Sequence, residues 1–246
     1  MAMAVPLVGC GSHVDLELVR RFQLAEEQFA AGQNPADFLE VAGMYDEILG
    51  SGCMSSAVLY NQGNAFSRAG QFGRALASYR QAQRLRPRDP HLDANLRSCL
   101  SSLGQPPTKP AVWDYVLFWR SWLSFSEKLW LTTGLLAATL LLLLGDQLTP
   151  VHRVPRILVI GLATLTLAMA ASGVWDWYDR EQVQHGVLIM ETTARKGNSE
   201  SYAAAFNDSL VEGTEFIGLE TRDDWLRIRL PGTGEGWIPR AAAVVY

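Results

Sequence analysis

Residues 56–89 read SAVLYNQGNAFSRAGQFGRALASYRQAQRLRPRD, and the residue types predict two helices packed closely as a hairpin. Gly63 and Ala75 are small where paired helices must approach. Tyr79 is large enough to fill the gap to a neighbouring pair. Pro87 ends the second helix, because the residue before a proline is pushed out of the α region. A weaker copy precedes this unit: Ala25, Gly32, Tyr45 and Ile48 occupy comparable places, with about four extra residues around Gln33–Asp37. Asp89-Pro90 caps and opens a further helix, to about Leu103, which covers the open face of the last unit. Residues 14–104 therefore read as an α-helical solenoid of two repeats plus a capping helix.

In that 34-residue stretch Gly63, Phe66, Gly70, Ala75, Tyr79, Ala82 and Pro87 fall at the intervals of the tetratricopeptide (TPR) repeat, which the segment resembles. Stacked units of this kind leave a concave face lined by the first helix of each pair. Tyr60, Asn61, Asn64 and Arg68 are expected there. Amide and guanidinium groups suit a peptide backbone or a carboxylate; the alternative is a merely solvated face.

Two uncharged runs follow, 17 residues from Leu129 to Gly145 and 19 from Ile157 to Trp175. A hydrocarbon core ~30 Å thick needs about 20 apolar residues per helix, with ~17 as the lower limit. Residues 124–178 are thus expected to form a two-helix transmembrane hairpin, closed by the short connection Asp146–Arg156. Six of the eight tryptophans flank the runs (Trp113, Trp119, Trp122, Trp130, Trp175 and Trp177), as suits an indole at a membrane interface. Ser124 and Glu127 make a capping box that starts the first span near Phe125, and Pro155 suits the opening of the second. A linker at 105–111 leads into 112–123, which reads either as an interfacial helix or as a continuation of the span. Two spans put both flanking domains on one side of the membrane. Arginine and lysine counts near the helix ends are nearly even and do not orient it.

From Gly186 onward short alternating runs replace helical periodicity. Val187–Met190, Glu215–Leu219, Trp225–Leu230, Gly236–Ile238 and Ala243–Val245 read as strands, with turns at Asp223-Asp224, Pro231-Gly232 and Gly234. Five short strands suggest a small barrel. Gly213, Trp225, Arg227, Gly236, Trp237 and Ile238 stand in a pattern that resembles bacterial SH3-like domains, so residues 186–246 are expected to be an all-β SH3-like barrel. Trp225 and Trp237 are its candidate ligand surface, each either part of an aromatic platform or packed in the core.

Net charge is −4, carried by the C-terminal piece: residues 181–246 hold 6 basic and 10 acidic side chains, whereas 1–112 are balanced at 10 and 10. No basic stripe exists to meet nucleic-acid phosphates. Cys10, Cys53, Cys99 and the four histidines show no metal-ligand spacing, so no metal or cofactor is expected. Cys53 and Cys99 either pair or stay as buried thiols. Leu7-Val8-Gly9-Cys10 looks like a lipobox, which makes 1–13 either the remnant of a truncated signal or an apolar tail. No nucleophile elbow, phosphate loop or catalytic carboxylate pair is present, so the chain is not read as an enzyme.

The order of parts is more specific than any one of them. Tyr60-Asn61, Gly63-Asn64-Ala65, Ala75, Tyr79, Pro87 and Asn95-Leu96 stand where the BatE proteins of bacterial aerotolerance operons have them, and the chain resembles that family over its length. It departs at Gln62, where leucine is usual. The resemblance implies a non-catalytic scaffold of a bacterial inner membrane, facing the periplasm. Its partners would be von Willebrand factor A-domain membrane proteins and, indirectly, a MoxR-type AAA+ ATPase. The rival expectation is a receptor that binds peptidoglycan or a peptide through the SH3-like domain.

Overall fold

The computed structural model describes residues 16–105, 117–148 and 155–246. The expectations for 1–13, for most of the 105–111 linker, for the start of the 112–123 helix and for the connection at 149–154 lie outside the described residues. The protein is mainly helical with one small antiparallel sheet. Residues 16–105 and 184–246 belong to one compact unit and 117–183 to another.

In the first unit, α1 (Leu16–Ala31), α2 (Pro35–Gly50), α3 (Ser56–Arg68), α4 (Phe72–Leu85) and α5 (Pro90–Ser102) pack each against the next. The helix starts follow local chemistry. Asn34 accepts from the Ala36 and Asp37 amides, and Asp37 answers to the Asn34 amide at 3.1 Å, a reciprocal box at the site of the extra residues. Asp89 accepts from His91 and Leu92 to open α5, as the Asp89-Pro90 pair predicts. Ala25, Tyr45, Ile48, Ala75, Tyr79 and Ala82 are all buried in one core. A Cβ on Gly63 would stand 2.5 Å from the Tyr79 ring, so only glycine lets α3 and α4 come this close. Cys99 is a free, buried thiol that donates to the Phe72 carbonyl at 3.2 Å, and burial pushes it up to about 12. A Cys53–Cys99 bridge is therefore not formed.

The sheet runs in the order β4-β3-β2-β1-β5, with β1 (Gln184–Leu188), β2 (Glu215–Arg222), β3 (Trp225–Leu230), β4 (Gly234–Pro239) and β5 (Ala243–Val245), all neighbours antiparallel. Arg222 faces Trp225 across a two-residue turn in which Asp223 takes φ 49°, a conformation aspartate tolerates better than most side chains. Leu188, Phe216, Leu226, Ile228, Leu230 and Ile238 fill the inner face.

The closed barrel expected for 186–246 is not formed. The outer edge of β4 is occupied instead by Arg195: its amide donates to the Trp237 carbonyl at 2.7 Å, and the Trp237 amide donates back at 2.8 Å. An edge already paired has no donors left for β5, and the sheet stays open.

Helices and sheet share one interface on α4. Val187 belongs to the helical core, with Val244 and Tyr246 packed against it. The Gly73 amide donates to Glu212 at 2.7 Å, Arg80 pairs with Glu215 at 2.7 Å, and the Arg84 guanidinium lies 5.4 Å from the Tyr246 ring centre. Gln105, just past α5, donates to the Glu212 carbonyl at 3.2 Å.

The second unit contains the short α6 (Trp119–Trp122), α7 (Phe125–Leu148) and α8 (Arg156–Gln182). Stretches of 21 residues in α7 (Phe125–Gly145) and 27 in α8 are long and apolar enough to cross a membrane. The 27 residues of α8 reach about 40 Å, more than the ~30 Å hydrocarbon thickness. The Ser124–Glu127 box is formed, with the Ser124 amide donating to Glu127 at 2.9 Å, and α7 begins at the next residue, Phe125. Thr132, Thr133, Thr139, Thr164 and Thr166 each donate to the carbonyl four residues back, which satisfies each hydroxyl within its own helix. Lys128, with a fully buried side chain, reaches Asp176 at 2.6 Å and the Arg120 carbonyl at 2.9 Å, tying the start of α7 to the end of α8.

Candidate functional site

The four residues expected on the concave face separate into two groups. Asn61 and Asn64, three apart on α3, line one pocket of about 150 Å³ with Glu26 and Phe29 of α1 and Tyr45 of α2. Asn61 Nδ2 donates to Glu26 Oε1 at 3.5 Å, and the same side chain is a hydrogen-bond partner of the Tyr45 hydroxyl. Asn64 Oδ1 accepts from the Tyr79 hydroxyl at 2.9 Å and from Asn95 Nδ2 at 2.7 Å; Asn95 also donates to the Tyr60 hydroxyl at 3.0 Å. Tyr60 itself does not line the pocket; it is tied to Asn64 through Asn95, in a network that joins α3, α4 and α5. Burial pushes the Tyr45 and Tyr79 hydroxyls up, so both stay protonated donors.

Arg68 stands apart. It is exposed, with its guanidinium 5.3 Å from the centre of the Phe38 ring, and Phe38 packs edge-on against Phe29 at 5.4 Å.

Glu26, Phe29, Tyr45 and Asn95 were not among the expected site residues, yet a signal for the first existed. Ala25 and Gly32 are seven apart, as are Gly63 and Gly70, so Glu26 holds in the first copy the place Asn64 holds in the second. The Phe22–Tyr45 contact at 5.9 Å likewise mirrors Tyr60–Tyr79 at 6.2 Å.

Behind the pocket, Gln62 is buried. Its Nε2 donates to Asp46 at 2.6 Å and its Oε1 accepts from Ser78 at 2.8 Å, which explains a polar residue where an apolar one would pack.

On the sheet, Trp225 and Trp237 do not form one platform. Trp237 is buried, its backbone paired with Arg195 and its ring 5.6 Å from the Arg222 guanidinium. Trp225 is half-buried and walls an open groove of about 450 Å³ with Thr192, Thr193, Arg195, Glu200 and Ser209. On that face Arg229 and Arg227 both reach Glu235 at 2.7 Å and hold its carboxyl below the usual range. Among the described residues no three His, Cys, Asp or Glu side chains come together as a metal site. In comparisons with known proteins, no family model, no curated protein and no solved structure matches the chain.

Proposed function

We propose that this chain is a non-catalytic, membrane-anchored scaffold of the BatE type. A TPR-like solenoid and an SH3-like sheet stand on the same, periplasmic side of a bacterial inner membrane, and the solenoid captures von Willebrand factor A-domain membrane proteins, and through them a MoxR-type ATPase. The observation that carries this reading is the pocket between α1 and α3, bordered by amide groups suited to an extended peptide. The sheet occupies α4 and leaves that pocket open. The α4–sheet interface also supports a single side: the two soluble segments flank the apolar helix pair in sequence, and segments that pack together share a compartment.

The Trp225 groove favours a second reading, a receptor for peptidoglycan or a wall peptide, because an indole beside hydroxyl and carboxylate groups suits a sugar or peptide. In-cell photo-crosslinking separates the two. A benzophenone side chain at position 61 is expected to capture A-domain membrane proteins. Capture of wall fragments from position 225, with none of those proteins from position 61, would replace the scaffold with the receptor.

A further inference from the structure

We propose that the pocket between α1 and α3 receives a basic side chain, so that the captured segment is selected by a lysine or arginine rather than by a carboxylate. This rests on the scaffold reading and specifies its ligand. Among the described residues, Glu26 is the one ionic group lining the pocket. Its hydrogen bond from Asn61 is long, at 3.5 Å, and among the described residues no lysine or arginine pairs with it. The carboxylate keeps most of its acceptor capacity for a ligand. The arginine expected to bring positive charge, Arg68, is instead stacked on Phe38.

The remaining walls agree with that sign. Phe29 and Tyr45 supply aromatic rings, whose faces attract a cation. Phe29 continues the aromatic row that already holds the Arg68 guanidinium on Phe38. An incoming carboxylate would meet Glu26 with no compensating cation among the described residues that line the pocket.

Size fits as well. A pocket of about 150 Å³ holds about five non-hydrogen atoms at the ~30 Å³ that a water-sized group occupies in a liquid. That is the end of a lysine side chain, or a guanidinium with its last methylene. Asn64 Oδ1 is spent on Tyr79 and Asn95, which leaves its Nδ2 to donate to the partner's main-chain carbonyl.

The test uses the full chain in lipid nanodiscs and pools of fluorescein-labelled, C-terminally amidated hexapeptides, each pool with one position fixed as Lys, Arg, Gln or Glu. Fluorescence anisotropy is expected to show Lys- and Arg-fixed pools binding about tenfold tighter than Gln-fixed pools, the size of one charge-assisted contact. Glu26→Gln, which keeps the shape and the acceptor for Asn61, removes this preference, and Glu26→Lys turns it toward the Glu-fixed pools. Binding without a charge preference, or a preference that survives Glu26→Gln, overturns the proposal. If such binding is still lost in Asn61→Ala, the scaffold reading stands without its cation pocket. If no pool binds, or binding ignores both variants, the proposal and the use of this face for peptide capture fall together.

Discussion

Asp46 is an acid held at the edge of a helical core, where its Oδ1 accepts from the buried Gln62 amide at 2.6 Å. Partial burial raises its carboxyl above the ordinary value, against the opposing effects of the Gln62 hydrogen bond and the Arg74 charge. A carboxyl raised in the folded state binds its proton more readily there than in the unfolded chain. It therefore adds stability that is full below the unfolded value of about 4 and fades as pH rises through the raised folded value. Asp37 runs the opposite way: the Gln33 and Asn34 amides lower it, and its contribution is lost as pH falls. Asp46→Asn keeps an acceptor for Gln62 and leaves Asp37 untouched, so the difference between wild type and variant isolates one group. Melting of the nanodisc-held chain between about pH 4 and 7 should show wild type gaining on the variant toward acid. A wild type that loses ground to the variant toward acid would refute the assignment. In the sequence Gln62 stands out only as a glutamine where the resemblance leads one to expect leucine. Its partners Asp46 and Ser78 are each sixteen residues away on other helices, beyond what any local pattern carries.

Single elements were the most legible part of the sequence, because caps and turns are written in adjacent residues. Ser124 with Glu127, Asp89 with Pro90, and the strands at Trp225–Leu230 and Ala243–Val245 stand where those signals put them. Pairing between elements was not legible in the same way. Lys128 reads as a flanking cation, yet its side chain is fully buried against Asp176 and the Arg120 carbonyl. A charge so held is unavailable as a free positive flank. It acts instead as a clasp between α7 and α8. Removing one member leaves the other charge without its partner, at a cost of about 3–5 kcal/mol, whereas replacing both with apolar side chains of similar size is often near neutral. Lys128→Ala is therefore expected to loosen the hairpin, and Lys128→Met with Asp176→Leu to restore most of the loss. An SDS titration followed by a fluorophore pair on the two helices measures this. Equal loss in the single and double variants would show that the pair contributes nothing specific.

At the level of the whole molecule, the feature furthest from sequence reading is that a run of packed helices and a distant sheet share an interface. Gly73 looks like one more small residue in a helical repeat, and nothing near it refers to a strand more than a hundred residues later. In the fold a Cβ at Gly73 would stand 2.6 Å from the Leu188 carbonyl oxygen and 2.9 Å from the Ile189 Cα. Both are backbone atoms of the sheet segment, unable to move aside as a flexible side chain would. The same residue donates its amide to Glu212 at 2.7 Å. Gly73→Val should therefore undock the sheet from α4 without unfolding either part, since an overpacked contact costs about 1–3 kcal/mol. Tyr246 provides the readout. It packs against the helical core, and burial first, then the nearby Glu215 charge, push its hydroxyl up to about 12, with Arg84 and Arg80 pulling the other way. Undocking returns the ring to water, so Tyr246 in the variant should titrate near the ordinary tyrosine value of about 10. Carbon-13 labelling of the tyrosine rings follows that titration directly, and far-ultraviolet circular dichroism checks that helices and strands persist. Arg80→Ala removes one ion pair but leaves the close backbone contact at Gly73, so in that variant Tyr246 should stay near its raised value. If Gly73→Val leaves the titration unchanged, the burial of Tyr246 does not depend on the α4 contact, and helices and sheet are held together elsewhere.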